Sequence, residues 1–444
     1  MFTYKSKKAL TTFALATTLI TSVFVPLQAD GAETTVNWTR EQVSKIEQTA
    51  DNTAPYINGE EVEKISSDYH IWDTWPLRNR DGSIAVINGY KVIFSLTAPS
   101  DVLPGKRHDI AEIRYFVSKN GKDWELGGTV FPEGEALGSR QWAGSAMVDD
   151  GKLHFFYTTT GRKGEDHITY EQRLAKASAD IEITKKDGIS FNNWSNHDVI
   201  LEPEGKYYQT MEEGMQGDIA YAFRDPWFFE DPKTGEEYIL FEGNSNGTPA
   251  ERQCEPEHIG SEEFRANHEV PENSKLFNGS IGIAKSTNED LTEYEIMPPL
   301  VEANCVNQEL ERPHMVTKGN KYYLFTDTHL NKFAPGTSGP DGLFGFVSDS
   351  LVGGYQPLND SGLVVANPKD NPYQAYSWTV LPNGTIVSFL NFFDLGDKTI
   401  DDIGHQSREW QFDHFGGTLA PSLKISIHQD KTKIVKEKDP GVFK

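Results

Sequence analysis

The chain has 444 residues and a formal net charge of −24, from 66 acidic against 42 basic side chains. Nucleic-acid binding needs clustered lysines and arginines that displace counterions from phosphates, so this balance excludes it and favours an uncharged substrate. Nine Trp and 17 Tyr supply rigid amphipathic rings, which fill cores in most proteins and bind sugar rings in some.

Residues 1–32 read as an export leader. Lys5, Lys7 and Lys8 precede an apolar stretch over 9–27, and Ala29 and Ala32 are small residues suited to cleavage. The stretch is also about long enough to span a bilayer as an anchor, but no later segment partners it. The expectation is a secreted, extracellular protein with no membrane contact after cleavage. Residues 33–65 follow as an N-terminal helical arm: Thr39 with Gln42 three positions on resembles a capping box, and Val43 and Ile46 give a short helix one apolar face that packs outside the main body.

Residues 66–444 carry a degenerate repeat. Five glycine-marked turns each lead into an apolar strand: NGYKVIFSL from Asn88, DGKLHFFYTTT from Asp150, TGEEYILFEGN from Thr234, KGNKYYLFTDT from Lys318 and NGTIVSFLNFF from Asn383. Ahead of them stand Asp73, Trp142, Asp225, Glu311 and Tyr376. Outer strands recur as FVSKNGKDWE, KASADIE, AKSTNEDLTEYE and VSDSLVGGYQP. Strand pairs repeating every roughly 60 to 85 residues cannot each bury both faces alone, so they predict a closed radial array. The fold expected is all-β, a five-bladed β-propeller with a central funnel on which the residues ahead of each repeat converge. The loops at 249–274 and 333–343 are too polar for core and are expected to rim that funnel. FGGTLAPSLKISI, from Phe415, is expected to complete a blade begun near the N-terminus.

Two cysteines are present, Cys254 and Cys305. In an exported protein they suit a disulfide; two buried free thiols are the other reading. No CxxC, HxH or HExxH spacing occurs, so zinc is not expected.

Three stretches set carboxylates in apolar or aromatic surroundings: IWDTWPL, FRDPWFFED and QELERPHM. Asp73 between Trp72 and Trp75 reads as catalytic or as a turn cap before Pro76. Arg224 can hold Asp225 ionised, in a site or in a structural ion pair. Glu309 and Glu311 alternate, which on a strand puts them on one face with Arg312 opposite, and two like charges there should raise one proton affinity. One ionised and one protonated carboxyl flanking a scissile bond are the requirements of glycoside cleavage.

Taken in order, IWDTWPL, QWAGSA, FRDPWFFED, QELERPHM, YYLFTDTH and AYSW resemble the bacterial levansucrase and inulosucrase family, glycoside hydrolase family 68, across most of the mature chain. The resemblance implies retaining fructosyl transfer from sucrose to fructan or oligosaccharide acceptors or to water. Asp73 would be the nucleophile, Glu311 the acid/base and Asp225 the transition-state stabiliser. Trp72 and Trp142 would shape the fructosyl pocket, and Arg224, Glu309, Arg312 and Tyr376 would place polar groups around donor and acceptor. His329 stands where the family has Arg or His facing the acceptor; a surface histidine at a strand end is the alternative. The resemblance calls for no cofactor. Gln308 replaces an acidic calcium ligand found in many members, which counts against a structural calcium, and members without that ion can carry a disulfide here, which implies a Cys254–Cys305 pair. An inverting hydrolase is disfavoured by WDTWPL. A sister-family invertase would show an Asn-Asp-Pro-Asn motif and a Glu-Cys pair, whereas Cys254-Glu255 has the reverse order. A noncatalytic sugar-binding propeller has no need of all three carboxylates. Product linkage, β-2,6 or β-2,1, is not encoded in these motifs.

Overall fold

The computed structural model describes residues 35–184, 188–217 and 221–443. The expected export leader at 1–32 lies outside the described residues, and the described residues form one unit. Among the described residues no helix is long and apolar enough to cross a membrane.

The protein is mostly β. Its strands form five successive antiparallel units, each opened by an inner strand: Tyr69–Asn79, Arg140–Asp149, Phe223–Glu230, Glu311–Lys318 and Ala375–Val380. The five repeats seen in the sequence are the second strands, Lys91–Pro99, Lys152–Thr160, Glu237–Asn244, Lys321–Thr328 and Thr385–Phe392. Each pairs with the inner strand before it. Asn88-Gly89 and Asp150-Gly151 both place two consecutive residues at positive φ, the requirement of the tight hairpin turn that matches strand twist. The inner strands touch in sequence, one to two through to five, and the fifth returns to the first, closing a ring. Leu77↔Ala146 and its neighbours pair the first two inner strands in parallel.

Aromatic rings fill the wedges between units. Phe94 and Phe155 meet at 5.0 Å beside Trp75 between units one and two, Phe156 stacks on Phe228 at 5.7 Å between two and three, and Trp227 meets His314 at 5.4 Å between three and four. Burying a side chain of this size contributes about 1.5–3 kcal/mol, so these three joints are held by aromatic packing.

The C-terminal expectation is corrected. Phe415–Leu419 and Pro421–His428 pair with Thr385–Phe392, so they complete unit five from its own sequence neighbours. In unit one the fourth and outermost strand is Glu125–Thr129, from the unit's own sequence neighbours. The N-terminal arm is partly strand. Val36 and Asn37 pair in parallel with Val301 and Glu302, and Thr39 caps the helix Arg40–Val43 with Gln42 closing the capping box. Trp38 is fully buried against Phe333, Phe344 and Phe346, and its indole donates to Ser361 O at 2.9 Å.

Candidate active site

All five inner strands are kinked at the same level. The ladder slips between Trp72 and Trp75, Trp142 and Gly144, Arg224 and Trp227, Glu311 and His314, and Tyr376 and Thr379. At four of them a non-glycine residue takes positive φ: Asp73 (48°), Asp225 (61°), Arg312 (51°) and Ser377 (56°). A regular strand sends consecutive side chains to opposite faces; a bulge breaks that period and re-aims one of them. Consecutive residues therefore enter the same pocket, as the lining by Trp72 and Asp73, Arg224 and Asp225, and Glu311 and Arg312 shows. This corrects the expected placement of Arg312 on the opposite face from Glu311. Polar side chains brace the bulges. The Thr158 hydroxyl accepts from Asp225 N at 2.9 Å and donates to Ala143 O at 3.0 Å. His314 accepts from Val380 N at 2.9 Å, so its Nδ1–H donates to Arg312 O at 2.8 Å.

The pocket has a cavity volume of about 210 Å3. Of the expected residues, Trp72, Asp73, Trp142, Arg224, Asp225, Glu311, Arg312, His329 and Tyr376 all line it. Glu309 stands behind them, ion-paired to Lys332 at 2.9 Å and 3.8 Å from Arg224. The two polar loops expected at the rim do not line it; His108 and Ile400, from the 3-10 turns Pro104–Ile110 and Ile400–His405, do.

Arg224 links the carboxylates. Its Nε lies 2.7 Å from Glu242, its Nη2 2.9 Å from Glu311. The Tyr376 hydroxyl donates to the second oxygen of Glu311, and His329 Nε2 lies 3.8 Å from that oxygen. The His329 ring stacks on Tyr376 at 3.6 Å. Asp341 accepts from Nδ1 at 2.8 Å and, against the downward push of burial, raises the proton affinity of the imidazole with help from Glu311 and Glu309. Burial raises the Asp73 carboxyl above its ordinary range, with Arg312 and Arg107 opposing. Asp225, which accepts from Arg312 N at 3.1 Å, is pushed by burial to about 6 despite Arg312 and Arg224.

The expected rise from pairing Glu309 with Glu311 is not what Glu309 experiences. Burial pushes it up, but Lys332 and Arg224 hold it at about 2. The sequence reading also missed Arg107, His108, Glu242 and Asp327. Glu242 and Asp327 are fully buried, and burial drives both carboxyls well above their usual range. Each is a lone acid in an apolar strand, YILFEGN and YYLFTDT, a pattern that marks a buried charge in need of a partner. Arg107 is buried over the Trp72 ring at 5.3 Å, in a turn with no periodic signal.

The Cys254–Cys305 disulfide is formed, with Cα atoms 5.7 Å apart. Beside Gln308 the residues do not fit a calcium ion. The Gln308 side-chain oxygen accepts from Asn278 N at 3.1 Å, and the cationic Arg252 shares the same small cavity, donating to Gly247 O at 3.0 Å and Leu276 O at 3.1 Å. No carboxylate among the described residues lines that cavity.

Carboxyls gathered on one pocket, with tryptophans on its wall and an arginine between them, are the groups that glycoside cleavage uses. Residues 27–444 match the family model described as levansucrase/invertase, glycoside hydrolase family 68. The chain is 34% identical over 422 residues to a levansucrase of Rahnella aquatilis, covering 91% of this chain and 95% of that one. It is 33% identical to an extracellular sucrase of Zymomonas mobilis, covering 89% and 92%. A solved inulosucrase from Halalkalicoccus jeotgali bound to kestose superposes with a TM-score of 0.84 at 48% identity, covering 92% of this chain and 97% of that one. The chain belongs to the levansucrase/invertase family and is an enzyme acting on sucrose.

Proposed function

We propose that the protein is a secreted fructosyltransferase that cleaves sucrose with retention and passes the fructosyl group to a sugar acceptor. The ring of five units is read as a five-bladed propeller with its pocket on the axis. One observation carries the catalytic reading: Asp73, Asp225 and Glu311 occupy the bulges of three inner strands and open into one pocket. Asp73 attacks the anomeric carbon of the fructosyl ring as Glu311 protonates the departing glucosyl oxygen, giving free glucose and a covalent fructosyl-enzyme. Glu311, now a base, takes the proton from an acceptor hydroxyl that displaces Asp73, so two inversions give net retention. Asp225 holds fructosyl hydroxyls and faces the positive charge of the transition state. Arg224 and Tyr376 fix Glu311 from two sides. The chemistry uses the chain's own side chains and no cofactor, and Arg252 supports a reading without calcium. The names of the Rahnella and Halalkalicoccus relatives support fructan or fructo-oligosaccharide products of β-2,6 or β-2,1 linkage, and that of the Zymomonas relative supports secretion.

The test is glucose and free fructose released from sucrose over time by the mature protein, beside Asp73→Ala. Glucose in excess of fructose, lost in the variant, is expected. Equal amounts would make the protein a hydrolase, and no glucose would refute the reading.

A further inference from the structure

Beyond the pocket, on the far side of Trp142, lies a built surface with no part in the catalytic scheme. Trp142 lines the pocket and has its indole N–H fixed to His108 O at 3.1 Å. The ring of Tyr170 lies outside it, 6.3 Å away and tilted by 39°. Tyr170 is 51% exposed, yet it is held in place. Its hydroxyl donates to Asp109 at 3.0 Å, and the Arg140 guanidinium stands 5.4 Å from its ring centre. Arg140 itself is buried, donates to Thr169 O and pairs with Glu165 at 3.0 Å. Glu165 ties the loop together by accepting from the Thr169 hydroxyl at 2.6 Å and from the Ser139 hydroxyl at 2.8 Å. Ile110, next to Asp109, and Ile168, two residues before Tyr170, are exposed as well.

An exposed aromatic ring normally moves freely, and immobilising one has a conformational cost. Here a buried arginine, the Asp109 carboxylate and a pocket-lining tryptophan surround the ring before any ligand arrives. A sugar placed on it gains apolar contact and a carboxylate for its hydroxyls, with little ordering left to do. We propose that Tyr170, with Asp109, is an outer acceptor platform that binds a sugar ring of an oligosaccharide beyond the one receiving the fructosyl group. The proposal rests on the fructosyl-transfer reading and names the surface that lengthens its products.

The experiment uses sucrose as donor and kestose as acceptor with Tyr170→Ala, Tyr170→Phe and Tyr170→Trp. In Tyr170→Ala the kestose concentration for half-maximal elongation is expected to rise about 10-fold, the loss of one good contact, with products shortened. Tyr170→Trp is expected to stay near wild type, and Tyr170→Phe, which keeps the ring and loses the Asp109 bond, to fall between. Glucose release from sucrose alone separates this from the parent reading. Wild type that releases no glucose would remove the sucrose reading and the platform with it. Wild type that releases glucose, with Tyr170→Ala elongating kestose at wild-type concentrations, would overturn the platform alone. So would a parallel fall in kcat/KM for sucrose, because the ring would then act only by propping Trp142.

Discussion

Replacing Arg224 with lysine keeps the charge and removes the fork. The guanidinium reaches Glu242 through Nε at 2.7 Å and Glu311 through Nη2 at 2.9 Å, two directions that a single ammonium cannot serve together. Glu242 is fully buried and Glu311 opens to the pocket, so the ammonium is expected to stay with Glu242, which water cannot reach to replace the lost partner. Glu311 then loses one charge-assisted hydrogen bond, about 1.5–3 kcal/mol, which corresponds to roughly 10- to 150-fold in kcat/KM for sucrose. Initial rates of glucose release across sucrose concentrations measure it, and a thermal melt on the same sample shows that the fold persists. Tyr376 clamps the same carboxylate from its other oxygen, so Arg224→Lys and Tyr376→Phe should couple by about 0.5–3 kcal/mol in a double-mutant cycle. A single variant within threefold of wild type, or strict additivity in the cycle, would refute the assignment of Arg224 as the positioning group of Glu311.

The pH profile follows from Asp225, held at about 6, and from Asp73, raised in the same direction. Both roles need the ionised form, so kcat/KM should climb as pH rises through about 6. Acids whose affinity is raised by folding contribute stability below that range and lose it as pH rises through the folded value, so this pair should weaken the fold over the interval in which activity appears, as melts at pH 5 and 7 would show. Reduction of Cys254–Cys305, which closes a loop of 51 residues, should lower Tm by the equivalent of about 2–4 kcal/mol. EDTA should change neither Tm nor rate, and a chelator-induced loss would overturn the calcium-free reading. His329→Ala removes the ring stacked on Tyr376, on what we propose is the acceptor side, and should shift the product-length distribution on a chromatogram more than it shifts glucose release.

Much of the architecture is written in short-range signals. Asn88-Gly89 and Asp150-Gly151 force tight turns, and the apolar runs after all five turns pair with the strands before them. Closure was harder to read. The strand from Phe415 joins unit five, and the fourth strand of unit one is Glu125–Thr129, whose ELGGT carries little strand signal. The carboxylates were visible because acids between aromatics are unusual. Arg107 and His108 were not, because a 3-10 turn imposes no hydrophobic period and nothing local shows that its side chains point at Trp72 and Trp142.

The misplacement of Arg312 shows why period-based reading fails at this site. Glu309, Glu311 and Arg312 were assigned faces by counting in twos, a count that holds only while φ and ψ stay extended. Arg312 turns to a φ of 51°, and Asp73, Asp225 and Ser377 do the same on their strands. Backbone of this kind costs about 1–3 kcal/mol per residue and persists only where the surroundings over-determine it. Those surroundings are present: Thr158 holds Asp225 N, His314 holds Arg312 O, and Asp225 itself accepts from Arg312 N across the gap between two units. The strain is thus shared across the inner ring, and what it produces is a density of functional groups that alternating strands cannot offer. Each of three bulges delivers two adjacent side chains to the pocket, pairing an acid with a tryptophan or an arginine. A retaining enzyme needs charged groups facing one sugar ring from several sides, with each charge answered by a partner, and bulges at a common level on neighbouring strands meet both requirements with one backbone device.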